Sequence, residues 1–168
     1  MMQLDDIPGV LDDMAGALSQ HLDRRGVSDF ALVGIHTGGM WIARALQTCL
    51  GHNEPVGGLD ISFYRDDFTR IGLHPRVQPS SLPFQVENRH VVLVDDVLYT
   101  GRTIRAALNE IFDYGRPASV TLVVLVDRGG RELPITADVV GLEVALNAGN
   151  HIKLSGPDPL SLNILQDP

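Results

Sequence analysis

Only one cysteine, Cys49, occurs among the 168 residues, which excludes an internal disulfide. A chain of this length buries enough apolar surface to need neither a cross-link nor a structural metal. Cys49 falls at the apolar spacing of a helix, so a buried thiol is expected rather than a nucleophile. Cations are scarce as well: 13 Lys and Arg stand against 21 Asp and Glu, a net charge of −8. Affinity for nucleic acid comes largely from neutralising phosphates, so this balance argues against a general polynucleotide binder and leaves room only for a local basic patch. No apolar run approaches the ~18 residues of a membrane span. The N-terminus lacks the basic, apolar and small-residue order of a signal peptide, and a cytoplasmic protein without membrane contact is expected. Internal repeats and low-complexity tracts are absent. What is present, 44% apolar and 20% charged residues, suits a single globular domain spanning 1–168.

Strands and helices alternate in the pattern. Val10, Met14, Leu18 and Leu22 mark an amphipathic helix that ends near Arg24-Arg25-Gly26, with basic residues and glycine where helices stop. Phe30 to Ile35 reads as a short apolar strand, and Ile42, Ala45, Leu46, Cys49 and Leu50 as a second helix. Leu59 to Tyr64 is expected to be a third element, a strand. Residues 65–89 contain Pro75, Pro79, Pro83 and Ser80-Ser81; a connection that long usually serves as a functional lid or is disordered. Val120 to Val126 gives another strand, and Val139-Val140 a last short one. The alternation predicts an α/β fold, a mostly parallel central sheet flanked by helices. The tail from Asn147 onward has little pattern, and no structure is assigned to it.

The richest segment is Val91-Val92-Leu93-Val94-Asp95-Asp96-Val97-Leu98-Tyr99-Thr100-Gly101-Arg102-Thr103. Its apolar start predicts a buried parallel strand, and the two carboxylates fall at the carboxyl end, where open α/β sheets bind ligands. Ile104, Ala107, Leu108 and Ile111 follow at helical spacing, so residues 99–103 feed a helix N-terminus. The first N–H groups of a helix have no internal partners and point at an anion. Acids repel a bare phosphate. The ligand expected here therefore carries both a phosphate and a polyol, as a ribose 5-phosphate does.

These residues resemble a known family. Apolar strand, Asp-Asp and Thr-Gly-x-Thr form the phosphoribosyl pyrophosphate (PRPP) motif of type I phosphoribosyltransferases. Val94 to Arg105, Asp60 to Asp67 and Val124 to Ile135 look more specifically like the PyrR family. The similarity runs from about residue 10 to about residue 141. It implies the type I phosphoribosyltransferase fold with a flexible loop and a small hood, the hood and base site lying at about 126–150. It implies a uracil phosphoribosyltransferase, a pentosyl-transferring enzyme of pyrimidine salvage that makes UMP and pyrophosphate from uracil and PRPP. In many bacteria the family also controls transcription of pyrimidine genes. Self-association into dimers or higher assemblies is a further implication.

Carried over position by position, the resemblance gives Asp95 and Asp96 the ribose hydroxyls, and Mg2+ through water. Tyr99, Thr100, Gly101, Arg102 and Thr103 take the 5′-phosphate, with the Arg102 side chain either adding charge or lying on the surface. His36, Thr37, Gly38 and Gly39 match the pyrophosphate loop, but where the family carries Lys-Thr-Arg-Gly this chain has no permanent cation. Arg65, in Tyr64-Arg65-Asp66-Asp67, is a candidate diphosphate clamp on the lid. Val126, Asp127 and Arg128 mark the base site, with Arg128 in a structural ion pair as the alternative. Family members that bind messenger leaders carry basic residues on the first helix, where this chain has Asp12-Asp13. Gly130 also replaces a histidine, although Arg131 is retained. RNA attenuation is therefore expected to be weakened or lost. The alternative to an enzyme is a regulator that senses UMP or UTP in the same pocket with little turnover; an enzyme for hypoxanthine or orotate is a more distant third.

Overall fold

The computed structural model describes residues 2–4, 6–62 and 80–166. Strand β1 (Met2–Leu4) precedes helix α1 (Ile7–Arg24), whose N-cap Asp6 accepts the backbone N–H of Gly9. Its buried stripe, Ile7, Leu11, Met14, Leu18 and Leu22, recurs every three or four residues, as a helix with one core-facing side must. Strand β2 (Phe30–Ile35) leads into α2 (Gly38–Leu50), then β3 (Gly57–Leu59). Strand β4 (His90–Leu98), helix α3 (Arg102–Tyr114), β5 (Ser119–Asp127) and β6 (Val139–Glu143) follow. The chain closes with β7 (Asn150–Ser155) and β8 (Ser161–Gln166).

The main sheet has the order β3-β2-β4-β5-β6, and every neighbouring pair is parallel. Alternate residues of β4 serve opposite cores. Val92 and Val94 pack with Leu18, Ile42, Leu46 and Leu125 under α1 and α2. Val91 and Leu93 pack with Ile104, Ile111 and Val124 under α3. A strand buried on both faces has no polar side, which is why β4 reads as a continuous apolar run. Connections leave the sheet centre in opposite directions: β2 feeds α2 and β3 on one side, β4 feeds α3 and β5 on the other. The crevice at such a switch point, outside the carboxyl ends of the strands, is where open α/β sheets bind ligands.

Two expectations need correction, for the element at Leu59–Tyr64 and for Cys49. The element expected at Leu59–Tyr64 is instead β3 at Gly57–Leu59; Tyr64, Arg65 and the rest of 63–79 lie outside the described residues. The tail, to which the sequence reading assigns no structure, forms two strands. Its strands β7 and β8 join β1 in an antiparallel sheet of order β1-β8-β7, with Leu4 opposite Leu162. That small sheet is seated on the α1 and α2 side of the core through Leu154 and Leu162, with Ile152 and Leu160 beside them. The segment 126–150, where the hood and base site are expected, takes in the end of β5 and the whole of β6. Finally, Cys49 is exposed and its thiol faces Asp12 on α1; it stands at the rim of the α2 stripe, where burial and the Asp12 hydrogen bond raise its pKa.

Candidate active site

The site exists because β4 outruns β2. Pairing between them ends at Gly34 and Val94, whereas β4 and β5 stay paired to Leu98 and Asp127. Asp95 and Asp96 therefore lie in the carboxyl-terminal part of β4, on a stretch whose β2 side has opened. Asp95 is only 5% exposed, and its carboxylate accepts the Asp96 N–H at 2.9 Å. Asp96 is half-buried and accepts the Val97 N–H at 2.8 Å. Both acids line a cleft of about 500 Å³.

The turn after β2 closes one wall. His36, Thr37 and Gly38 line the cleft, the His36–Thr37 peptide is cis, and the His36 N–H donates to the Leu59 carbonyl at 2.8 Å. Gly39 is buried behind them, so close to β4 that a β-carbon there would meet the Val94 oxygen at 2.5 Å. The imidazole lies across β3, where a β-carbon on Gly58 would meet Nε2 at 2.6 Å. Partial burial lowers the His36 pKa; Asp60 opposes this and Arg44 adds to it. The only side chain in this loop able to carry a positive charge is thus biased toward its neutral form.

The opposite wall is the turn into α3, and Tyr99, Thr100, Gly101, Arg102 and Thr103 all line the cleft. Gly101 takes φ 93° immediately before the helix, a conformation that glycine adopts without a steric penalty. Thr100 Oγ1 accepts the Arg102 N–H at 3.2 Å. The Arg102 side chain pairs with Glu132 at 2.8 Å, so its charge is shared with the surface. Only one of the base-site candidates faces the cleft. Arg128 lines it, with the guanidinium carbon 3.9 Å from the centre of the Tyr99 ring. The Val126 side chain is fully buried in the core. The Asp127 carboxylate is taken by Arg131 and the Gly129 N–H, and the Arg131 hydrogen bond holds its pKa below the ordinary value.

Among the cleft residues that were not site candidates in the sequence are Ile61, Ser62 and Ile152. Ser62 hydrogen-bonds the buried Asp60, and Ile152 arrives from β7 of the small sheet. Only the apolar alternation of Ile152 and Leu154 hinted at a strand there.

Two loops thus face each other across paired carboxylates in one cleft, and the comparisons with known proteins identify the family. A model of the phosphoribosyl transferase domain matches residues 1–155. The chain is 60% identical over 161 residues to the bifunctional protein PyrR of Pseudomonas paraeruginosa, covering 96% of this chain and 95% of that protein. It is 57% identical to the PyrR of Nitrosococcus oceani, covering 95% and 91%. The chain belongs to the PyrR family. The PyrR chain also shares its fold with two solved phosphoribosyltransferases. The hypoxanthine phosphoribosyltransferase of Trypanosoma cruzi superposes with a TM-score of 0.65 at 21% identity, covering 95% of this chain and 91% of that one. A hypoxanthine-guanine phosphoribosyltransferase of Bacillus anthracis gives 0.69 at 15% identity, covering 86% and 84%. At such identities the likeness speaks for the type I fold of this PyrR member, not for its base.

Proposed function

We propose that this PyrR-family chain transfers the phosphoribosyl group of PRPP to uracil, forming UMP and releasing pyrophosphate. The observation that carries the reading is the position of Asp95 and Asp96 between the 36–39 and 99–103 loops, in one cleft. A uracil nitrogen attacks the anomeric carbon as the bond to pyrophosphate breaks. Positive charge grows on the ribose ring and negative charge on the leaving group, so the protein's work is positioning and electrostatic stabilisation. The carboxylates of Asp95 and Asp96 accept the 2′- and 3′-hydroxyls and face the ring on which positive charge develops. Backbone N–H groups of 99–103, with the Thr100 and Thr103 hydroxyls, hold the 5′-phosphate at the start of α3. The turn at His36–Gly39 receives the diphosphate. Arg128, stacked on Tyr99, and Ile152 frame the base, with a polar group for its edge and an apolar wall against water. Arg65 remains the candidate clamp from the lid.

Magnesium suits this donor set. Among the described residues no group of three or more carboxylate, imidazole or thiol side chains converges as a metal cage, whereas Asp95 and Asp96 offer oxygen ligands beside a diphosphate site. Such a pair fits an ion held mostly by substrate oxygens and water. When bound, that ion neutralises charge on the diphosphate.

The neutral bias of His36 favours a second reading, in which the pocket binds UMP or UTP as a regulatory signal and turns over slowly. Asp12 and Asp13, both exposed on α1, support weakened or lost RNA attenuation under either reading, because acids beside phosphates weaken binding. Initial rates of UMP formation from uracil and magnesium–PRPP decide between the two. Turnover of about 1 s⁻¹ or more, a modest enzyme value, with no product from hypoxanthine or orotate and none in Asp96→Asn, establishes the enzyme. UMP binding without turnover establishes the sensor.

A further inference from the structure

A loop that turns its N–H groups toward an anion turns its carbonyls the other way, and those carbonyls need donors of their own. Behind residues 99–103 the donors come from one short segment. The Thr100 oxygen accepts from the N–H groups of Glu132 at 2.9 Å and Leu133 at 3.1 Å. The Tyr99 oxygen accepts from Arg131 Nη1 at 2.9 Å. The same guanidinium gives Nε to the Ile135 oxygen at 2.8 Å and Nη2 to the Asp127 carboxylate. One planar group thus joins the first carbonyl of the phosphate turn, the end of β5 and its own segment at Ile135. The packing is tight around it: a β-carbon on Gly130 would meet the Tyr99 ring at 2.6 Å, and one on Gly101 would meet Ile135 at 3.0 Å.

We propose that Arg131 is a positioning residue for the 5′-phosphate site, fixing the carbonyl face of the Tyr99–Thr103 turn so that its N–H face stands ready for the ligand. Arg131 is not among the residues lining the cleft, so it acts through Tyr99. Because its third bond goes to Asp127, the turn is also held in register with the end of β5 and with Arg128, the base-site residue next in the chain. Only a fork of donors in a fixed plane satisfies acceptors in these directions; an ammonium in the same place reaches some and leaves the rest. This inference rests on the proposed reading of 99–103 as the phosphate turn.

The test compares UMP with uridine, which differ only in the 5′-phosphate, and uses magnesium pyrophosphate as a probe of the opposite loop. In the full-length chain, Arg131→Gln is expected to weaken UMP binding about tenfold, the scale of one lost positioning hydrogen bond. Uridine and pyrophosphate affinities stay within about twofold, and KM for PRPP rises more than kcat falls. Arg131→Lys keeps the charge beside Asp127 and the side-chain bulk, and is expected to recover only part of the UMP affinity. Retained pyrophosphate binding certifies that each variant is folded. Equal losses for UMP and uridine in Arg131→Gln, or unchanged UMP binding, overturn the proposal, and so does full recovery by Arg131→Lys. A wild-type chain that binds UMP no better than uridine overturns the phosphate-turn reading itself.

Discussion

Gly38 packs directly on Asp96: a β-carbon at position 38 would stand 2.3 Å from Oδ2 and 2.7 Å from Cγ. The first residue of α2 and the second carboxylate of β4 therefore share one volume, and only hydrogen at position 38 lets both walls of the cleft coexist. The obstructing atoms belong to a side chain, so Gly38→Ala is expected to fold, with Asp96 rotated off its hydrogen bond to the Val97 N–H. Catalysis should suffer more than stability. A drop in kcat/KM of about tenfold to a hundredfold, or ~1.4–2.7 kcal/mol, with Tm shifted by only a few degrees, is the outcome to look for in paired kinetics and calorimetry. An unaltered kcat/KM contradicts the role given to Asp96.

Gly39 makes the contrast. Its β-carbon would meet the backbone oxygen of Val94, which cannot rotate away. Gly39→Ala must push α2 off the sheet, and overpacking of this kind costs about 1–3 kcal/mol or more. Chemical denaturation should show Gly39→Ala much less stable than Gly38→Ala. Comparable stabilities for the two variants contradict the packing described here.

His36 gives a pH dependence with a definite sign. Burial holds its folded pKa below the ordinary 6.5. Between the folded value and 6.5 the unfolded chain binds more protons, so stability rises with pH across that window and is flat above it. Anion binding runs the other way. A diphosphate in the 36–39 loop favours the imidazolium, so affinity for magnesium pyrophosphate should strengthen on going from pH 8 to pH 6, by roughly threefold or more beyond the change in His36→Gln. The comparison with His36→Gln removes the ligand's own titration. Parallel slopes for wild type and variant mean that His36 does not sense the ligand.

The central machinery was legible because it is local. Val91 to Val94, Asp95-Asp96 and Thr100 to Thr103 are contiguous, and a strand buried on both faces followed by a helix start leaves an unmistakable pattern. The acids' exact setting was not legible, because it depends on β5 continuing to pair after β2 has stopped. The small sheet was hidden for a stronger reason: Met2–Leu4 pairs with Leu162–Ile164, and no local window contains both. Ile152, on β7, stands opposite Ile164 of β8 in the same sheet. The resemblance placed Asp127 at the base site; that its carboxylate is held by Arg131 depends on a turn whose geometry a sequence pattern does not encode. Cys49 fits the helical stripe, but it stands at the stripe's rim, where α1 covers only one side.

Arg89 ties the amino-terminal edge of the sheet together, far from the chemistry. Its guanidinium bonds both Glu54 oxygens, Asp29 and the Phe30 carbonyl, and lies over the Phe84 ring. It precedes β4, and the six residue-to-residue steps from His90 to Asp96 put roughly 20 Å of strand between this cluster and the cleft. The Arg89 side chain is 19% exposed and Glu54 29%, so the pair is partly desolvated, and removing one partner leaves the other unsatisfied. Arg89→Ala should lose about 2 kcal/mol, lowering Tm by ~4–8 °C, while kcat and KM for PRPP stay at wild-type values below the melting range. Arg89→Lys should recover less than half of the loss, since an ammonium cannot hold Glu54 in a fork while reaching Phe30. A loss of activity that exceeds the loss of folded protein in Arg89→Ala contradicts this purely structural assignment and means that the base of the sheet communicates with the site at its far end.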